Sequence, residues 1–263
     1  MLDFNTYDLS DRITGLIDHA LQQRNAKQVP REYLGASRLG VSCTRALQYE
    51  YFKTAKDPGR DFSGRILRIF EAGHVFEDLM VRWLRQVGFT LIAEDHCGEQ
   101  YGFSELDGKL QGHIDGVITA APEVLGFEFP ILFECKSLNN KSWKDTKRKG
   151  VTISKPVYAG QVSLYQAYME PEFPGISTQP ALFTAINKDT AELYFEAVPF
   201  NGELAQSNSD KGVRVLDACE AKLPLPRISK DPSHFECKMC EWRERCWEIV
   251  PEKEINDQGC GYE

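Results

Sequence analysis

Two short apolar segments of this chain carry charge where a buried strand has little room for it. In Gln111-Gly112-His113-Ile114-Asp115-Gly116 and Phe133-Glu134-Cys135-Lys136-Ser137, the acids are bracketed by apolar residues and Lys136 follows Glu134 by two positions. Residues i and i+2 of a strand share a face, so Glu134 and Lys136 project together while Cys135 points away. If a neighbouring strand brings Asp115 alongside, two carboxylates and an ammonium converge. Such a set can hold a hard divalent cation and place a water against a phosphate. The acid–x–lysine triplet alone fits an exposed strand face with a salt bridge better than a metal site, so its surroundings decide.

Those surroundings are helical first and β-rich later. Ile13, Leu16, Ile17, Ala20 and Leu21 recur at helical spacing behind Ser10, which predicts an amphipathic helix over about 10–25. A loop over 34–40 leads to a helical segment over 43–52, and a longer helix follows the Asp57-Pro58-Gly59 turn signal, over about 63–87. His74 and Glu77 lie three apart on one face of it. From Phe89 the period becomes that of strands: 89–94, 98–104, 110–119 and 131–137. A polar, basic stretch over 138–153, a helix over 156–168, strands over 180–187 and 190–198, and a helix over 203–222 complete the pattern. This order predicts an α/β core with helices at both ends. The expected division is a helical region over 1–62 carrying Cys43, a core over 63–223, and a Cys-rich segment over 224–263 packing back on the N-terminal region.

The charge balance, 31 basic against 39 acidic residues, gives −8. It argues against a surface coated in positive charge, though one local basic stripe can still attract nucleic acid. Lys141, Lys144, Lys147, Arg148, Lys149 and Lys155 form such a run directly after the Glu134 strand. There they could track a phosphate backbone, with Trp143 offering a stacking face to an unpaired base. Arg60, Arg65 and Arg68 could extend the track, and the plain alternative is a solvated loop. With no leader-like N-terminus and no apolar run of membrane-spanning length, the expectation is a soluble cytoplasmic protein without a membrane partner.

Eight cysteines in such a chain point to metal ligation or free thiols more than to disulfides. Cys237-x₂-Cys240-x₅-Cys246 gathers three thiols and lacks one ligand, for which Cys43 is the candidate. His234 could instead complete a local Cys₃His zinc site. Cys97, Cys219 and Cys260 are expected to be free thiols, and Cys135 a small buried residue.

Gly73-His74-x-x-Glu77, Gly112-His113-Ile114-Asp115, Glu134-x-Lys136 and Gln161-x₃-Tyr165, in that order, resemble the PD-(D/E)XK nuclease superfamily and its RecB-like branch. The resemblance implies a restriction-endonuclease-like core, a central mixed sheet flanked by helices. It also implies that His74, Asp115, Glu134 and the backbone carbonyl of Cys135 ligate Mg²⁺ or Mn²⁺, and that Lys136 orients or activates the attacking water. Gln161 and Tyr165 would position the DNA or the lysine. One cysteine before the core and three after it resembles the iron–sulfur nucleases of the AddB type and those encoded with CRISPR loci or in phages. That implies a [4Fe–4S] cluster on Cys43, Cys237, Cys240 and Cys246, with structural zinc as the competitor. His113 shares strand parity with Asp115 and is expected to hydrogen-bond an acid near the metal rather than the metal itself. Glu77 is either a partner of the ligands or a helix-surface charge. The expected activity is metal-dependent hydrolysis of DNA, as an exonuclease on ends or single strands. The alternatives are a DNA-binding recombination or CRISPR-adaptation accessory acting through an integrase, recombinase or helicase, and a restriction-type endonuclease.

Overall fold

A computed structural model describes residues 6–248; Cys260 lies outside the described residues. In chain order the elements are α1 (Thr6–Ala26), β1 (Leu34–Gly35), α2 (Thr44–Tyr51), α3 (Gly64–Gln86), β2 (Thr90–Ile92), β3 (Gly102–Glu105), β4 (Leu110–His113), β5 (Gly116–Ala120), β6 (Ile131–Leu138), α4 (Asn140–Lys149), α5 (Val151–Ser154), α6 (Pro156–Met169), β7 (Ala181–Asn187), β8 (Leu193–Val198), α7 (Gly202–Glu220), α8 (Phe235–Met239) and α9 (Arg243–Glu248).

The strands form two sheets, one ordered β2-β5-β6-β7-β8 and a smaller one ordered β1-β4-β3. β6 and β7 pair in parallel at the centre of the larger sheet, and every residue of β7 is buried. A near-continuous apolar run is what a strand covered on both faces requires. Alternate residues of β6 feed two cores. Leu132 and Leu138 pack on the side of α6 with Val162, Tyr165 and Phe183. Ile131, Phe133 and Cys135 pack on the side of α3 with Met80 and Leu84. Cys135 is thus the buried residue expected on the far face from Glu134.

The run expected as one strand over 110–119 is two strands in different sheets. β4 pairs with β3 and β1, and the chain then bends at Ile114 and Asp115 before β5 joins the larger sheet. A period-2 pattern does not record which partner a strand takes, so this switch is invisible to it. The basic stretch after β6 is likewise not a loop but α4, capped by Asn139, whose Oδ1 accepts from the Ser142 amide (2.8 Å). α1 docks on α3 through polar groups: Asp18 pairs with Arg68 (3.2 Å), and Gln22 Nε2 donates to the Phe62 carbonyl (3.3 Å). Its apolar stripe of Ile13, Leu16 and Ile17 stays exposed.

The C-terminal segment lies against the N-terminal region. Trp242 Nε1 donates to the Thr54 carbonyl (2.8 Å), and buried Asp57 accepts the amides of Glu244 (2.6 Å) and Arg245 (3.2 Å) at the start of α9. Gln48 bonds the backbone on both sides of Pro224, donating to the Leu223 carbonyl (2.7 Å) and accepting from the Leu225 amide (2.9 Å). Ahead of α2, Gly40 lies so close to α6 that an added Cβ would meet Val157 Cα at 2.7 Å and its carbonyl oxygen at 2.8 Å. Backbone cannot yield as a side-chain end can. Gly40→Ala is therefore expected to destabilise the protein by about 1–3 kcal/mol, read as a lower urea midpoint at unchanged slope.

Candidate active site

The antiparallel register of β5 on β6 pairs Gly116 with Phe133, which places Asp115 across from Glu134. At that point β5 has ended, so the Cys135 amide has no strand carbonyl on this side. It donates to Asp115 Oδ2 instead (2.7 Å). A side-chain carboxylate thus takes the place of a strand carbonyl and is held against the edge of β6. Lys136 Nζ forms an ion pair with Glu134 Oε1 and lies 3.8 Å from Asp115 Oδ2. From α6, buried Gln161 donates through Nε2 to Glu134 Oε1 (2.7 Å). Glu134 is fully buried, and its second oxygen, Oε2, has no hydrogen-bond partner.

The electrostatics follow from burial and crowding. Desolvation pushes Glu134 up to about 8, helped by the Asp115 charge and opposed by Lys136. Glu77, on α3, is pushed up to about 7, again first by burial and then by Asp115. Lys136 moves upward despite its burial, because Glu134 and Asp115 hold its charge. Tyr165 is also raised, by desolvation first and then by the Glu134 charge, while a hydrogen bond with Ser37 acts the other way. An unpartnered buried carboxylate oxygen beside a second acid suits a hard cation, although among the described residues the ligand atoms of His74 and the two acids are not all brought within 4.8 Å of one another.

His74 lies one turn before Glu77 on α3, and both line a cleft of about 950 Å³ with Asp115, Asp78, Glu94 and Asp95. The surplus of acids over Arg82 and Arg85 in that cleft favours cations. His113 ends β4 as an exposed residue, and it is absent from the residues lining this cleft. Glu77 instead faces Asp115 and Lys136 electrostatically. Ser37 was not legible as a site residue, since nothing in the loop around it signals a bond to Tyr165. Tyr158, whose ring centre lies 5.6 Å from Lys136 Nζ, carried no signal either.

The basic run divides. Lys141, Lys144, Arg148 and Lys155 line an open groove of about 670 Å³ beside α4, with Asp145 among them. Asp145 pairs with Arg148 (3.1 Å) and Lys149 (2.8 Å). Trp143 corrects the expectation of a base-stacking face. It is 2 % exposed, packs in the core and donates through Nε1 to the Ala185 carbonyl (3.4 Å). On an amphipathic helix the large apolar residue turns inward while the lysines turn out; Lys147 lies 4.8 Å above the buried ring.

The thiols of Cys43, Cys237, Cys240 and Cys246 line one cavity of about 320 Å³, walled by Val41, Ala46, Ile228, Phe235, Trp242 and Trp247. Arg227 closes one side by donating to the Cys246 carbonyl through Nε (3.0 Å) and a terminal nitrogen (2.6 Å). His234 is not among the lining residues. Desolvation, then the neighbouring thiolates, raise Cys237, and desolvation leads for Cys240 as well. A separate Asp95-His96-Cys97 turn brings three ligand-type atoms within 4.8 Å of one another, Cys97 being exposed.

The fold is restriction-endonuclease-like: mixed sheets flanked by helices, with paired acids and a lysine at the end of the β5–β6 pair. The chain is similar to the alkaline exonuclease LHK-Exo from Laribacter hongkongensis, at 14% identity and a TM-score of 0.50 over 73% of this chain and 90% of that one. It also matches LHK-Exo in complex with dAMP (14%, 0.49, over 72% and 89%) and SSO0001 (15%, 0.49, over 91% and 98%). At such identities the likeness concerns the fold alone. No family model matches the chain, and no curated protein matches it significantly.

Because Glu134 and Glu77 hold protons up to about 8 and about 7, a cation entering the site must displace them. Mn²⁺ affinity is expected to rise with pH across that interval, and Glu134→Gln to remove most of the rise, in calorimetric titrations. The sign for stability is opposite. The protonated carboxyls favour the fold fully below 4.5, and this contribution is lost as pH climbs through about 8, so metal-free protein should melt lower at high pH.

Proposed function

We propose that the chain is a metal-dependent DNA nuclease, an exonuclease on DNA ends or single strands, with a structural iron–sulfur cluster. One observation carries the reading: Asp115, Glu134 and Lys136 converge at the end of the β5–β6 pair with a buried carboxylate oxygen left unpartnered. Asp115, Glu134, the Cys135 carbonyl and His74 would hold Mg²⁺ or Mn²⁺. When bound, the ion supplies charge neutralisation at the scissile phosphate and a hydroxide-like water near neutral pH. Lys136, beside Asp115 and Glu134, would supply positive charge next to the phosphate and orient the attacking water. Gln161 keeps Glu134 from turning away, and Tyr165, tied to Ser37, closes the α6 side of the site. The lysines of α4 would contact the DNA backbone next to it. The likeness in fold to an alkaline exonuclease supports the reading.

At the cysteine site, Cys43 lines the cavity and His234 does not, which favours four thiolates around a [4Fe–4S] cluster over a local Cys₃His site. On this reading 63–223 would carry the chemistry, and the cysteine site would join the region around Cys43 to the described part of the C-terminal segment, up to residue 248.

Purified protein with labelled oligonucleotides and Mn²⁺ is expected to degrade DNA. Asp115→Ala and Lys136→Ala should each cost roughly 10²–10³-fold or more, and degradation persisting unchanged in either variant sinks the assignment. Anaerobically purified protein should be brown and lose its colour in Cys43→Ala; a colourless, zinc-loaded protein indifferent to that change would establish the zinc site instead.

A further inference from the structure

A further cavity adjoins the cysteine cavity, sharing Arg38, Glu241 and Trp242 with it, and holds none of the acids of the active site. It has a volume of about 680 Å³ and is bounded by β1, α2 and the start of α3. This lies within the range of sites that enclose a small organic ligand. Its walls are aromatic, with Tyr33, Tyr51, Phe62 and Phe70 among them. Phe70 is 48 % exposed, and its position is set by the edge of Phe62, with ring centres 5.2 Å apart at 85°. Lys56 Nζ sits 3.7 Å from the Phe62 ring centre, and the Arg31 guanidinium lies 5.8 Å from that of Tyr33.

The charges at its rim are largely matched. Arg38 pairs with Glu50 (2.6 Å), Lys53 with Glu32 (3.4 Å) and Lys56 with Glu241 (3.1 Å). An aromatic cavity whose cations are already compensated suits a flat, uncharged group more than a phosphate. Location supplies the second half of the argument. Phe70 lines this cavity and His74 lines the acidic cleft, and the two are four residues apart on α3. Four residues are one turn, so both stand on one face of the helix about 6 Å apart along its axis. The floor of the cavity includes Leu34 and Gly35, and β1 pairs with the strand that leads into Asp115. Cavity and cleft are therefore consecutive along one surface.

We propose that this cavity receives an unpaired nucleobase roughly one or two nucleotides from the scissile phosphate, with Phe70 as the stacking platform. A base in a duplex has both faces covered and its edge paired, and extruding it carries an unstacking and unpairing cost that a single strand or a frayed end does not bear. The cavity thereby favours unpaired DNA as the substrate class. It also explains how an acidic protein gains hold on a strand, since stacking needs no positive surface and tolerates any base. The inference rests on the nuclease reading.

The test is fluorescence and kinetics on single-stranded oligonucleotides carrying 2-aminopurine, or an abasic site, at successive positions. In buffer without divalent ions, one position should show strong quenching on binding, which Phe70→Ala abolishes and Phe70→Trp retains. With Mn²⁺, an abasic site at that position should raise KM roughly tenfold in the native protein. Phe70→Ala should do the same on intact DNA and add nothing on the abasic strand, a non-additivity that a merely misfolded variant would not show. Cleavage that is indifferent to abasic sites at every position, or quenching that survives Phe70→Ala, overturns the base pocket and leaves the nuclease reading standing. Absence of cleavage with native protein counts against the nuclease reading, while the metal-free quenching still decides the pocket.

Discussion

The hydrogen bond from the Cys135 amide to Asp115 is the contact on which the candidate site depends. It exists because β5 stops pairing with β6 after Gly116 and Phe133, so an edge amide is left where a strand carbonyl would otherwise sit. A carboxylate filling that position is held by the main chain of β6. It is also forced close to Glu134, whose burial permits no retreat into solvent. The cost of crowding two acids in a dry site is offset by Lys136, by Gln161 and by protons, until a cation replaces the last of these. Burial first, and then the neighbouring Asp115 charge, push the titration of Glu134 and Glu77 upward.

The parallel pairing of β6 with β7 has a consequence beyond the core. Parallel neighbours need a crossover, and here it runs through α4, α5 and α6. One connection therefore delivers both the lysine-bearing α4 beside the end of β6 and Gln161 with Tyr165 over its α6-facing side. On the opposite side α3 brings Phe70, His74 and Glu77 along a single helical face. The two helices address the acids from opposite layers of the sheet, so the end of β6 has lysines on one side and aromatic surface on the other.

The C-terminal segment is fixed to the N-terminal region by long-range polar bonds as well as by buried Trp242 against Tyr49. Asp57 caps α9 across more than 180 residues of sequence, Gln48 bonds both sides of Pro224, and Trp242 donates to Thr54. These bonds seat Cys43 opposite the C-terminal cysteines. A closure built from a few hydrogen bonds and a shared cavity gains much from any group that all four thiolates bind, because the group stabilises only the closed arrangement.

Element types and the residues bearing chemistry were legible in the sequence, because periodicity and the spacing of charged residues are local properties. The helices over 63–87 and 156–168, the strands at 131–137 and 180–187, and the acid–x–lysine triplet needed only the alternation of side chains along a backbone. What the tertiary structure decided was everything that depends on partners. Trp143 turned into the core because α4 is a helix packed on β7, the 110–119 run split because β4 and β5 found different neighbours, and α1 kept its apolar stripe outward because polar groups made its contact with α3. Ser37 came beside Tyr165 because the pairing of β1 with β4 carries the following turn over α6. The physical reason is the same in each case: a sequence specifies which faces a segment has, and only the assembled chain specifies what each face meets.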